Sequence, residues 1–129
     1  MIKTFSALIT FFLVASVCNG QTKNDSLKRE VLYARSVLKE ALDHPTLSNV
    51  INSKDLLLKS EQMAIDVAEP ILFSVYGKKH ILGEKPYHCT LVDKYWVISG
   101  SLPAGYEGGV FLIIMDATNA KVIKLIHGK

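Results

Sequence analysis

The apolar residues of this chain change rhythm once along its length. Between Leu27 and Leu42 they recur at spacings of three and four, as Leu27, Val31, Ala34, Leu38 and Leu42, which is the stripe of an amphipathic helix. Ser26 stands in the capping place, so the spacing predicts a helix from Ser26 to about Asp43. Pro45 ends it, because the residue before a proline avoids helical backbone. Residues 46–58 have no clear period, and Leu56-Leu57-Leu58 reads as a short strand or as the lead-in to the next helix. A second helix is capped by Ser60, carries Glu61 at its positive end and closes at Gly77. Its stripe is Met63-Ala64, Val67-Ala68, Ile71 and Val75, and Pro70 inside it should kink or break it.

From Pro86 the period becomes two. Pro86 to Val92 alternates, Asp93-Lys94 turns the chain, and Tyr95 to Leu102 returns with Trp96 and Ile98 on one side. Gly109 to Asp116 holds the run Val110-Phe111-Leu112-Ile113-Ile114-Met115, which predicts a central strand covered on both faces. Ala117 to Ala120 turns again, and Lys121 to His127 is the last strand. Short connections favour an antiparallel meander. The expected fold is therefore α+β: two N-terminal helices packed on a curved antiparallel meander of three to four strands.

Composition adds a compartment. The chain has 129 residues, 49% of them hydrophobic, and a net charge of +3. That is too apolar for disorder, and a charge this small without a basic run gives no face for nucleic acid. Met1-Ile2-Lys3 precedes an uncharged stretch, Phe5 to Val17. At about 13 residues it is too short to cross a bilayer, which takes about 20, and has the size of a signal-peptide core. Residues 1–20 are read as a signal peptide cut after Gly20, residues 21–25 as a flexible tether, and residues 26–129 as one domain. The product would be exported, periplasmic or envelope-associated. The rival is a lipoprotein acylated, and so membrane-bound, at Cys18, although Val17 and Ala15 stand where a lipobox wants a small residue and Leu. After cleavage Cys89 is the lone cysteine, with no internal partner, and is expected as a small buried hydrophobe.

Candidate chemistry mostly fails. Gly100 and Gly105 have phosphate-loop spacing, but Tyr106-Glu107 follows where Lys and a hydroxyl residue are required. Gly100, Pro103, Gly105, Gly108 and Gly109 are instead loop-shaping, the last four supplying a rigid turn and positive-φ backbone. Tyr106 at the tip is either packed back on the sheet or shown to a partner. His44, His80, His88 and His127 include no pair at helical i, i+4 spacing, and His88 and Cys89 are strand neighbours that point to opposite faces. Ser99 and Ser101 lack a nucleophile elbow, and no acid singles itself out. No catalytic, cofactor-binding or metal-ligating residue is assigned. Tyr95 and Trp96 adjoin on a strand, so one is core and the other exposed. Tyr106, Glu107 and Tyr95 are the candidate partner contacts.

Three runs, taken in order, resemble a known family. They are Ala64 to Leu72 with Val75-Tyr76-Gly77-Lys78 and Lys85-Pro86-Tyr87; Tyr95 to Tyr106 with Gly108 to Phe111; and Lys121 to Lys129. Together they resemble bacterial immunity proteins of nuclear-transport-factor-2-like fold from polymorphic toxin systems, over about residues 60–129. The resemblance implies a binding protein without cofactor, whose partner is a cognate protein toxin. Alternatives are a small periplasmic ligand-binding protein or enzyme on the same cone-like fold, or an inhibitor of the PepSY or cystatin kind, which shares the helix-plus-meander outline. The ligand or enzyme reading requires a deep apolar pocket with a buried acid. The Gln-x-Val-x-Gly loop of cystatins is absent.

Overall fold

The computed structural model describes residues 12–129, with side chains from Gln21 onward. The expected leader, its cut after Gly20 and Cys18 therefore lie outside the residues whose side chains are described. The chain divides into two compact units at Asn49–Val50, whereas one domain was expected over 26–129.

In the first unit a single helix, α1, runs from Phe12 to Asp43. Gln21 to Asp25 belongs to it, so this segment is helical rather than a loose tether. Lys39 and Asp43 pair one turn apart near its end, and the His44 N–H donates to the Glu40 carbonyl at 2.9 Å. The anticipated stripe is there, but Leu27, Val31, Leu38 and Leu42 are all exposed, and among the described residues none of the buried core comes from α1. Periodicity specifies that a helix has an apolar face, not what covers it. Among the described residues no helix is long and apolar enough to cross a membrane.

The second unit is a helix-on-sheet layer. Helix α2 spans Glu61–Tyr76, with the Ser60 hydroxyl accepting from the Met63 N–H at 3.2 Å. It passes Pro70 without a break. Pro70 is exposed, on the side away from the core. The buried side chains are Ala64, Ala68 and Leu72, while Met63 and Val75 of the expected stripe are exposed. Two alanines a turn apart let the helix backbone lie close to the sheet. Gly77 closes α2 at φ 88°, and a short helix α3, Lys78–Leu82, follows at once.

The sheet has four antiparallel strands in chain order: β1 His88–Val92, β2 Tyr95–Ser99, β3 Phe111–Asp116 and β4 Val122–His127. Register pairs Cys89 with Ile98, Ile98 with Ile113 and Ile113 with Leu125, so one inner face runs across all four strands. Trp96, Ile98, Phe111, Ile113 and Met115 are buried on it, against α2, Ile81 of α3, Leu58 and Ala117. Each fully buried large side chain contributes about 1.5–3 kcal/mol of transfer free energy. The opposite face of β3, Leu112, Ile114 and Asp116, is only half covered. The central strand is thus buried on one face rather than two, and an unbroken apolar run does not distinguish the cases.

Residues 46–58 form neither strand nor helix. Their end is tied to the sheet: Leu57 and Leu58 N–H both donate to the Ala117 carbonyl, and the Leu58 carbonyl accepts from Trp96 Nε1 at 2.9 Å. Trp96 is accordingly the core partner of the adjacent pair, and Tyr95 is the exposed one.

Candidate functional site

Two surfaces and one side-chain cluster stand out. The cluster lies at one end of the inner face. His80 is on α3, Glu84 is four residues on in the turn after it, and His127 ends β4 opposite Phe111. His127 Nε2 lies 2.8 Å from Glu84 Oε1 and 3.1 Å from His80 Nε2, and His80 Nε2 is 3.3 Å from the same carboxylate oxygen. Glu84 is 5% exposed, a buried acid. Its Oε2 accepts from the Phe111 N–H at 2.8 Å, and its carbonyl accepts from the Ser101 N–H at 2.8 Å. Burying a carboxylate requires such partners, since an unpaired charge there is costly.

Close backbone contacts build this corner. A Cβ on Gly100 would fall within the Glu84 side chain, and one on Gly109 within the backbone of Gly128. Gly128 in turn extends the β3–β4 pairing through its N–H to the Val110 carbonyl at 3.0 Å. Gly100 and Gly109 are therefore required for room, not for positive φ as expected of Gly109. Gly105 and Gly108 are the loop glycines with positive φ, and Gly105 sits third in a turn closed by Tyr106 N–H to Pro103 O at 3.1 Å.

The electrostatics follow from these contacts. The hydrogen bond to Glu84 and the Gly128 carbonyl hold His127 above the ordinary imidazole range. Burial, then the Glu69 carboxylate, pushes the Tyr87 hydroxyl well above its usual range. That hydroxyl donates to Glu69 at 3.2 Å, and Lys85 pairs with the same oxygen at 2.9 Å. Burial, with the Glu61 charge, pushes the Cys89 thiol up to about 11, so it is a poor nucleophile.

The first surface is the outer face of the sheet. Val92, Tyr95 and Ile126 are exposed on it, Val97, Leu112 and Ile114 are half-buried, and His88 and Lys124 flank them. The second is the loop of residues 100–110, where Tyr106 is 71% exposed beside exposed Glu107. Tyr106 is thus displayed rather than packed back. Tyr95 stands at the other end of β2 from this loop, so the three candidate contacts are not one cluster. Separately, Val50, Ile51, Leu56, Met63 and Thr118 help line a cavity of about 690 Å³. Its one acid, Asp55, is exposed, unlike the buried acid that the enzyme reading requires.

Residues 63–129, which hold most of α2, all of α3 and the whole sheet, match the sequence model described as "NTF2 fold immunity protein". The chain belongs to the NTF2-fold immunity protein family. This family member is similar to two Escherichia coli K12 proteins. "Uncharacterized protein YbbC" is 34% identical over 126 residues, covering 97% of this chain and 95% of that protein. "Uncharacterized protein YhhH" is 31% identical over 74 residues, covering 57% of this chain and 58% of that protein. No solved structure matches the chain significantly.

The sequence reading of this family member missed the cluster. His80 and Glu84 have the i, i+4 spacing sought only between histidines. Glu84 stands in the sequence Gly83-Glu84-Lys85-Pro86, and nothing local marks it as buried.

Proposed function

We propose that this immunity-family protein is exported and neutralises a cognate bacterial toxin by binding it, without catalysis. The family membership carries the reading, and the uncovered sheet face gives it a surface. A soluble domain seldom leaves half-buried and exposed apolar side chains side by side over a sheet unless something docks there. Val97, Leu112 and Ile114 supply the apolar centre, with Tyr95, His88 and Lys124 as a polar and aromatic border, as interfaces are built. Tyr106 and Glu107 form a second contact, presented on the 100–110 loop.

The test is to identify a candidate toxin among the genes beside this one and to co-express it with this chain. The chain should protect cells and copurify with the toxin. Ile114→Glu, placed at the centre of the outer face, should abolish protection while leaving a folded protein. A folded wild-type chain that neither protects nor binds would overturn the proposal. Export is tested by fusing residues 1–20 to a reporter active only outside the cytoplasm. An active reporter and a mature protein starting at Gln21 are expected, whereas an acylated Cys18 at the new terminus would replace simple cleavage with lipid anchoring.

A further inference from the structure

We propose that His80, Glu84 and His127 form a binding site for a divalent first-row transition ion, with coordination positions open to solvent. This goes beyond the immunity reading and does not depend on it. The three residues each offer one donor atom, and the three edges between those atoms are 2.8, 3.1 and 3.3 Å. A tetrahedral ion with bonds of about 2.0–2.1 Å needs donors about 3.3–3.4 Å apart, and one face of an octahedron needs about 3.0 Å. The observed triangle spans both. Its centre is about 1.8 Å from each donor, so an ion at such bond lengths sits about 1 Å out of the plane.

Two features orient the donors as metal ligands are oriented. His127 Nδ1 is 2.7 Å from the Gly128 carbonyl, which can only accept. Nδ1 therefore carries the hydrogen, and the lone pair of a neutral ring lies on Nε2, facing the other two donors. A ligating histidine almost always gives its second N–H to such an acceptor. Glu84 Oε2 is occupied by the Phe111 N–H, which leaves Oε1 as a single donor. The site thus has two imidazole nitrogens and one carboxylate oxygen, a set suited to zinc or its first-row neighbours. The Glu84 side chain is 6% exposed and that of His80 58%, so a buried anion anchors the site and an open side admits the ion. The rival is a proton: His127 doubly protonated between Glu84 and Gly128 satisfies the same contacts.

The experiment titrates the purified full chain, stripped with chelator, with Zn²⁺ by calorimetry and with Co²⁺ by visible absorption. One equivalent of each should bind, and the Co²⁺ bands will report four- or six-coordination. His80→Ala, at an exposed position that should fold normally, should weaken binding at least about 100-fold, the upper end of the loss from removing an outer-shell partner. His127→Ala should do the same, and His88→Ala, on the outer sheet face, should leave it unchanged. If His127→Ala fails to fold, His80→Ala decides alone. No uptake by the wild type, or uptake that survives His80→Ala, would overturn the proposal in favour of the proton.

Discussion

The Trp96 side chain tests how the segment ending at Leu58 is tied to the core of the sheet. It is the only tryptophan, 7% exposed, and its Nε1–H reaches across to the Leu58 carbonyl at 2.9 Å. Trp96→Ala removes the ring from between Leu91 of β1 and Met115 of β3, its register partners. Truncating a buried tryptophan costs about 3–5 kcal/mol, and part of that is the cavity left behind. Trp96→Phe keeps most of the apolar volume but strips the Leu58 carbonyl of its donor, which alone is worth about 0.5–1.5 kcal/mol. The two variants should therefore separate, with Ala losing at least twice what Phe loses. Urea unfolding at 25 °C followed by circular dichroism measures both, and the m-value should stay unchanged. A domain of ordinary stability holds about 5–15 kcal/mol, so the Ala variant should still fold but with its midpoint shifted far down. A loss below about 1 kcal/mol for Trp96→Ala would refute the packing described.

Other consequences follow from single contacts. Gly100→Ala should push Glu84 from its place, destabilising the fold by about 1–3 kcal/mol in the same urea assay; an unchanged midpoint would show that the turn yields instead. Cys89, with its thiol at about 11, should react with iodoacetamide at pH 8 about 100-fold more slowly in the native than in the urea-unfolded chain; equal rates would contradict its burial. The Thr118 hydroxyl and then its N–H hold the Asp116 carboxyl below its usual range. A depressed carboxyl contributes stability above its unfolded pKa and loses it as pH falls through the folded one. Thr118→Val should therefore move the acid-unfolding midpoint to higher pH, and an unmoved midpoint counts against this contact.

The strands were legible because their signals are local. Alternation, the Asp93-Lys94 turn and the Ala117–Ala120 turn placed all four within a few residues, and Trp96 with Ile98 fell on the inner face. The helix α2 was also legible, although Leu72 rather than its neighbour Ile71 is the buried residue, since a stripe of adjacent apolar pairs leaves its buried edge open by one residue. Coverage was not legible. Neither the exposure of Leu27, Val31, Leu38 and Leu42 nor the half-open face of β3 can be read from spacing, because both depend on what packs against them. The cluster of His80, Glu84 and His127 was hidden for the same reason: its third member arrives from a strand 43 residues beyond Glu84. Gly100 and Gly109 looked like turn glycines, and only the tertiary contact reveals them as sites of close approach.

The proposed function requires the protein to act by occupying its target. The direct test is to titrate a fixed amount of the cognate toxin with this chain and follow the toxin's activity. Occupancy predicts a linear fall that ends at a fixed small ratio of chain to toxin, with the complex recovered intact. Progressive loss of toxin activity at a ratio far below equivalence, with no complex formed, would mean turnover instead and contradict it.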